Sequence, residues 1–250
     1  MNLIVHCGGH RVDRAQVELC PTPERTPTWV PIPHGRLLNE VENTLGRAGL
    51  RVVNEAHALS HDGQRYFGLL ELANGHGHAD YALVLGLRNS HDKTFPAALA
   101  LGSGVFVCDN LAFSAEIVLA RKHTVFIGRD LPQLVSTAMG RLGEARQVQE
   151  RRITAYQETP LSDAQMHDLA VRALDSRVIP VTKLPEVVSE WRQPRHPVFA
   201  QGGRTAWRAF NSFTEVLKGG DLTTLVRRTQ SLHGLLDVTC GLQTVNVSRQ

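Results

Sequence analysis

Short apolar segments separated by turn residues, over residues 51–108, constrain this chain more than any other feature. RVVNEAHAL, RYFGLLELA and YALVLGLRN each have the length and composition of a strand, and FPAALALG and GVFVCDN follow them. Asp62-Gly63 is a tight-turn signal, and polar segments separate the later runs. Strands joined so closely pair antiparallel, because parallel neighbours need a long crossover. The sequence therefore predicts an antiparallel β-meander at about residues 51–108.

Helical spacing appears on both sides of this meander. Leu37, Leu38, Val41 and Leu45 predict a helix over about residues 35–48, and Gly49 suits its C-terminal cap. After the meander we predict a helix through LAFSAEIVLARK, capped by Asp109 or Asn110, and then a short strand at HTVFIG. The predicted fold class is α+β, with the meander packed against helices and a helical C-terminal half.

Three further patterns describe the C-terminal half. A long amphipathic helix is predicted over residues 131–157, and Ser162 with Gln165 has the spacing of a capping box. The segments PVTKLPEVV and RQPRHPVF are predicted to be proline-broken connections, and the last two helices fall at about 203–218 and 221–234.

The domain organisation follows from one proline-rich segment. Five prolines occur between Pro21 and Pro33, and proline both fixes φ and removes a backbone donor. We predict an extended N-terminal arm over residues 1–34, lying over the body of the protein or reaching a neighbouring subunit. Residues 35–250 then form one α+β domain, with a candidate internal boundary near residue 159.

Composition excludes several classes of protein. The sequence contains no apolar run of about 18 residues, so we expect no membrane span, and the N-terminus lacks the pattern of a signal peptide. The four cysteines are scattered without a CxxC pair, which favours a reduced, cytoplasmic compartment. Neither GxGxxG nor GxxxxGK[ST] occurs, so we expect no bound cofactor of the nucleotide type.

Histidine and aspartate are concentrated around the predicted turns. His76, His78 and Asp80 are the candidate metal ligands, and His57, His61, Asp62, His91 and Asp92 accompany them. Imidazole and carboxylate ligands together suit a transition metal, although no ordered motif such as HExxH is present. Two interpretations therefore stay open: solvent-exposed turns, or a metal-dependent hydrolase of phosphodiesters.

Cationic side chains are the candidate ligands of an anionic partner. Residues 141–250 hold 15 Lys and Arg against 11 Asp and Glu, whereas residues 1–140 hold 12 against 13. Arginine binds phosphate through paired donors, so a cluster of arginines on one surface suits nucleic acid. The predicted phosphate contacts are Arg88, Lys93, Arg204, Arg208, Arg227 and Arg228. A solvated helical surface would give the same pattern.

Three motifs occur in order along the chain: the loop of LRNSHDKT, the V-C-x-N step, and TAWRAFNSFTEVLK. Together they resemble an uncharacterised phage/plasmid-like protein family of prophages and mobile elements. The resemblance covers about residues 35–235. It implies a mobile-element setting and no established activity. The matching positions are Asn89, Ser90, Asp92, Cys108, Asn110, Trp207, Asn211, Thr214 and Glu215.

A weaker similarity is architectural: an antiparallel meander followed by basic helices resembles the core of phage single-strand annealing proteins. It implies a non-catalytic protein that binds single-stranded DNA or RNA in a positive groove and forms a homo-oligomer. An aromatic content of 6% offers few stacking platforms for such a role. The alternatives are a protein-interaction module, such as an inhibitor or regulator of a host system, and the metal-dependent hydrolase. No catalytic residue is assigned.

Overall fold

A six-stranded antiparallel sheet organises the computed structural model, which describes residues 9–73, 81–105, 111–218 and 222–242. The strands are β1 (His10–Val12), β2 (Val52–Ser60), β3 (Arg65–Leu72), β4 (Tyr81–Ser90), β5 (Ala97–Val105) and β6 (Leu111–Arg121). They lie in the order β1-β2-β3-β4-β5-β6, so every strand pairs with its neighbours in sequence. The predicted meander is confirmed, because each strand from β2 to β4 pairs antiparallel with the next strand along the chain.

The other regular elements of the described chain are helices, joined by irregular segments. Two precede the second strand: α1 (Arg14–Leu19) and α2 (His34–Arg47). Seven follow the sheet: α3 (Ile127–Gly140), α4 (Leu142–Glu158), α5 (Asp163–Asp175), α6 (Leu184–Arg192), α7 (Pro197–Gln201), α8 (Ala206–Leu217) and α9 (Leu222–Thr239), with a 3-10 helix at Val181–Lys183. The α+β class is therefore confirmed, with the helices concentrated in the C-terminal half. Within the described residues, no helix is long and apolar enough to cross a membrane.

Both faces of the sheet are covered at its centre. Successive residues of a strand point to opposite faces, yet every residue from Tyr66 to Leu72 of β3 is buried. Tyr66 faces α2, where its ring lies 5.4 Å from that of His34. Phe67, on the other face, contacts the ring of Phe95 at 5.4 Å. No open β-surface therefore exists at the middle of β3 and β4.

The turn between β2 and β3 fits its sequence. His61, Asp62 and Gly63 have φ values of 54°, 53° and 81°, which is the left-handed conformation that Asp-Gly favours. A Cβ atom at position 63 would lie 2.9 Å from Sγ of Cys20, the residue that follows α1, so any other residue would also have to displace this side chain.

One predicted helix is wrong. LAFSAEIVLAR forms the edge strand β6, which pairs with β5 from Gly104↔Leu111 to Ala97↔Arg121. Leu, Ala and Glu favour helix in isolation, but pairing with an adjacent strand overrides this local preference. The predicted strand at HTVFIG is also wrong, because Ile127 already belongs to α3. The caps assigned to Asp109 and Asn110 lie outside the described residues.

The predicted helices of the C-terminal half need two corrections. The single helix over 131–157 is two helices, and Arg141 stands between α3 and α4. Both segments predicted as proline-broken connections contain the start of a helix, α6 in the first and α7 in the second. In each helix a proline occupies the first turn, where a missing N–H costs nothing. The capping box of Ser162 and Gln165 is confirmed at the start of α5.

The N-terminal segment departs from the predicted extended arm. Residues 10–19 form β1 and α1, and only the proline-rich stretch that follows is irregular. Val12, Val17 and Ile32 are buried with the rest of the hydrophobic core. This segment therefore packs on the body of its own chain.

Candidate nucleic-acid interface

The first family motif builds the connection between β4 and β5. The hydroxyl of Ser90 donates to the carbonyl oxygen of Phe95 at 2.7 Å and accepts from its N–H at 3.3 Å. The carboxylate of Asp92 accepts from Nε of Arg65 at 2.6 Å and from the N–H of Thr94 at 3.1 Å. Burial opposes ionisation of Asp92, but these hydrogen bonds outweigh it and lower its pKa. The motif thus fixes the shape of a loop.

Asn89 anchors the proline-rich segment to the sheet. It has no exposed surface, and its Nδ2 donates to the carbonyl oxygen of Ile32 at 2.7 Å and to Nδ1 of His34 at 2.9 Å. His91, two residues further on, places its Nε2 2.9 Å from the same carbonyl oxygen. The rings of His34 and His91 stack at 3.8 Å and 5°. These contacts hold the end of the proline-rich segment against β4.

The hydrogen bonds require the neutral form of His34. Its Nε2 lies 2.9 Å from the carbonyl oxygen of Gly63, which can only accept, so Nε2 carries the proton. Its Nδ1 therefore accepts from Asn89, and a second proton would meet the amide N–H. Burial, with the neighbouring His91 as a further cause, lowers the pKa of His34 to about 3. Burial also lowers the pKa of His91.

A third buried histidine, His123, lies between the stacked pair of histidines and the surface. His123 follows β6 and is 6% exposed, and its backbone carbonyl accepts from the N–H of Val30. Its ring stacks on Trp29 with a centroid distance of 6.0 Å. Burial lowers the pKa of His123 to about 4, so this ring is neutral at pH 7. Within the described part of the chain, neither ring nitrogen has a hydrogen-bond partner.

Two cation–aromatic pairs lie at the end of the sheet beside this cluster. The ammonium of Lys93 lies over the ring of Trp29 at 4.7 Å from its centroid. Arg121 pairs with Ala97, which begins β5 directly after the loop that carries Lys93. Exposed Phe126 follows, and the guanidinium of Arg129 lies 4.8 Å from its ring centroid. We call the group formed by Trp29, Lys93, Arg121, Lys122, Phe126 and Arg129 the Trp29 surface.

Arg88 lies at the same end of the sheet, where it pairs with Phe67 of β3 and therefore lies on the face away from α2. It pairs with Ala98 across the β4–β5 ladder, and its guanidinium lies 5.3 Å from the centroid of Phe95. Of the six cations that the sequence singled out, Arg88 and Lys93 thus lie on or next to one loop.

The other four predicted cations lie on different elements. Arg204, before α8, pairs with Asp163 at 2.7 Å. Arg208 is only 7% exposed, contacts the ring of Trp191 and donates to the carbonyl oxygen of Arg192. Burial, and then the nearby Arg204, lower the pKa of Arg208. Arg227 and Arg228 lie on α9, the former exposed and the latter half-buried.

The C-terminal family motif forms the interior of the helical half. Every residue of α8 is buried, which is typical of a helix enclosed on all sides. Asn211 and Thr214 donate to carbonyl oxygens of their own helix, at Trp207 and Phe210. The buried carboxylate of Glu215 pairs with Arg195, Lys218 and, more distantly, His196. These motif residues have clear structural roles.

The structure describes only some of the predicted metal ligands and their neighbours. His76, His78 and Asp80 lie outside the described residues, as do Cys108 and Asn110 of the second family motif. His61 and Asp62 are exposed in the β2–β3 turn, whereas His57 is buried and contacts the hydroxyl of Tyr66 at 3.0 Å. Among the described residues, no three His, Cys, Asp or Glu side chains come together in a way that could hold a metal ion.

Sequence reasoning missed most of the Trp29 surface. Trp29 belongs to a proline-rich stretch, and Lys122 and Phe126 fall at the junction of β6 and α3, where a strand was predicted instead of a helix start. The available signal was the pairing of an aromatic residue with nearby cations in KHTVFIGR, residues 122–129.

The fold and this site define an α+β protein whose antiparallel meander encloses stacked histidines beside a cationic, aromatic surface. The chain belongs to the family described as Domain of unknown function (DUF932), whose model matches residues 24–236. The match includes most of the proline-rich segment, from Glu24 to Pro33, and the whole of the first and third sequence motifs. No curated protein and no solved structure matches the chain.

Proposed function

We propose that this protein binds single-stranded DNA or RNA along the Trp29 surface and does not cleave it. One observation carries the proposal: Trp29 and Phe126 each lie next to a cation at the same end of the sheet. Proteins that bind single strands combine cations for the phosphates with aromatic rings for the bases. The centre of the sheet is covered on both faces. A single-stranded nucleic acid therefore reaches cations and aromatic rings at the end of the sheet.

Charge on the Trp29 surface favours an anionic partner. Lys93 and Lys122 are exposed, and the side chains of Arg121 and Arg129 are 49% and 73% exposed. Asp130 pairs with Arg129 at 2.8 Å and more loosely with Arg121 at 4.0 Å. Surface ion pairs of this kind are weak, so a phosphate competes readily for both guanidinium groups.

Salt dependence is the direct test. Fluorescence anisotropy of a labelled oligothymidylate, measured from low to moderate NaCl, should give affinity that falls steeply with salt. Each phosphate contact on a single strand contributes a slope of about −0.7 in log K against log salt, so three or four contacts predict about −2 to −3. Salt-independent affinity, or no binding at low salt, contradicts the proposal.

Charge variants localise the surface. The double variant Lys122→Gln and Arg129→Gln should reduce the slope by about 1.4, because two phosphate contacts are lost. Lys183→Gln is the matched control, since Lys183 is a half-exposed cation that pairs with Glu186 in the helical half. An equal effect of the control would place binding elsewhere.

The C-terminal cations stay a separate prediction. Arg227→Gln and Arg204→Gln test whether phosphate contacts extend to α8 and α9. Arg204 already pairs with Asp163, so we expect the larger effect from Arg227. If the slope of log K against log salt changes in these variants and not in the variant of Lys122 and Arg129, the interface lies in the helical half.

Two finer features belong to the same proposal. The resemblance to annealing proteins supports a homo-oligomer, which light scattering with and without an oligonucleotide tests directly. The resemblance to phage/plasmid-like proteins supports a mobile-element setting. Genes of replication or recombination next to the gene for this protein would agree with that setting.

A further inference from the structure

Trp29 differs from the other two tryptophans of the chain. Trp191 and Trp207 are 0% and 8% exposed, whereas Trp29 is only half-buried. It stands in a tight turn in which the N–H of Thr26 donates to the carbonyl oxygen of Trp29 at 2.8 Å. The turn presents the indole ring at the surface, at the end of the sheet.

The ring of Trp29 has two neighbours: His123 supports it from the interior, and Lys93 covers it from an exposed loop. His123 stacks against it and is itself buried, so the indole has a fixed support. Lys93 reaches over the ring from an exposed loop position with a φ of 64°. An ammonium over a ring that is partly exposed to solvent is weakly held, and it occupies the position where a flat ligand would stack.

We propose that Trp29 is the stacking platform for one unpaired nucleobase and that this base displaces the Lys93 ammonium, which then pairs with the adjoining phosphate. The inference rests on the proposed function and adds the class of ligand: a strand whose base faces are free. A duplex keeps its bases stacked on one another, and a simple polyanion has no base to stack. Neither a duplex nor a simple polyanion should therefore gain binding energy from stacking on Trp29.

Tryptophan emission reports on this contact, because Trp29 is the tryptophan that solvent reaches. The titration compares an oligothymidylate with an abasic oligonucleotide of the same length and with inorganic polyphosphate. Only the oligothymidylate should quench the emission strongly. Trp29→Phe should lose the quenching while it keeps most of the affinity, since a phenyl ring still stacks.

Affinity measurements separate stacking from charge. Trp29→Ala should weaken oligothymidylate binding about 5- to 150-fold, the range that corresponds to the loss of one stacked base. Its affinity for the abasic oligonucleotide should stay within about twofold. Lys93→Gln should weaken both ligands, and the control Lys183→Gln should weaken neither. Near-UV circular dichroism confirms that each variant is folded.

The outcomes distinguish this inference from the function on which it rests. If oligothymidylate binds with steep salt dependence but neither quenches the wild-type emission nor distinguishes Trp29→Ala, stacking on Trp29 is overturned and strand binding stands. If the wild-type protein binds neither oligonucleotide at low salt, both proposals fail. The wild-type titration decides the question even if Trp29→Ala does not fold.

Discussion

Asn89 shows how much of this structure depends on one side chain. It contributes two hydrogen bonds from a position with no exposure, and it joins β4 to the proline-rich segment and to α2. A buried group left without its partner costs about 1–3 kcal/mol, more than a typical hydrogen bond contributes. Asn89 is therefore a structural anchor for the loop that carries Lys93.

Removal of this amide should destabilise the fold. We expect Asn89→Ala to lower the free energy of unfolding by about 2–4 kcal/mol, because Nδ1 of His34 loses its donor and a cavity forms. Urea unfolding measures the change. Asn43→Ala is the matched control, since Asn43 is exposed on α2 and should change stability by less than about 0.5 kcal/mol. Equal effects at the two positions would contradict the role of Asn89.

The buried histidines make stability depend on pH. In the folded protein burial lowers the pKa of His34 to about 3 and that of His123 to about 4, from an ordinary value of 6.5. The unfolded chain thus binds more protons below pH 6.5, so stability is complete above this pH and is lost as pH falls towards 4. His91 follows the same direction, although the carbonyl oxygen of Ile32 opposes its shift.

A glutamine at position 34 tests this pH dependence. Its amide can donate to Gly63 and accept from Asn89 as the neutral imidazole does, but it does not titrate. We expect His34→Gln to reduce the slope of unfolding free energy between pH 6.5 and 5 by up to about 1.4 kcal/mol per pH unit. Urea unfolding at several pH values gives this slope. Identical slopes for the two proteins would show that His34 titrates normally.

At the scale of elements, a buried polar network joins α4 to α9. Arg152 forms a forked pair with Asp237 at 2.9 Å, and the hydroxyl of Tyr156 donates to Asp237 at 2.7 Å. The two charged side chains are only 12% and 9% exposed. The nearby His233 is fully buried, and burial keeps its pKa well below the usual value.

Loss of one partner in this network should be costly. Asp237→Ala should lower the free energy of unfolding by about 3–5 kcal/mol, because Arg152 keeps a buried charge without its carboxylate. A double-mutant cycle with Arg152→Ala should return a coupling energy of about 2 kcal/mol or more. The exposed pair of Lys183 and Glu186 is the control and should couple by less than about 1 kcal/mol. Additive effects at Arg152 and Asp237 would contradict a cooperative network.

At the scale of the whole molecule, the N-terminal segment belongs to the body. The core includes Val12 from β1, Val17 from α1 and Ile32 from the proline-rich segment, together with residues up to Leu236 of α9. Arg14 binds Glu42 of α2 and Glu55 of β2, so ion pairs also join this segment to the sheet.

Deletion of residues 1–33 should therefore abolish cooperative folding. The truncated chain loses one strand, one helix and the buried Ile32, and the apolar residues beneath them become exposed. Ile32→Ala alone should cost about 2–5 kcal/mol. Thermal unfolding followed by near-UV circular dichroism measures both changes. A truncated chain with a native spectrum and a cooperative transition would restore the interpretation of residues 1–34 as an arm outside the folded domain.

The sequence by itself determined the meander from β2 to β5, the start of α5 and the extent of α2. These features depend on neighbouring residues: alternation or runs of apolar side chains, the Asp62-Gly63 turn, and the capping box at Ser162. These hydrogen bonds and spacings involve residues that are close together in the chain, so they can be predicted from the sequence.

Only the tertiary structure decided β6 and the Trp29 surface. LAFSAEIVLAR favours a helix by local preference, and its pairing with β5 supplies the backbone hydrogen bonds that make it a strand. Trp29, Lys93 and His123 are about thirty or more residues apart in the chain, yet Lys93 and His123 each contact the ring of Trp29. Contacts at such separations depend on where the sheet and the proline-rich segment place each loop, and no local pattern encodes that placement.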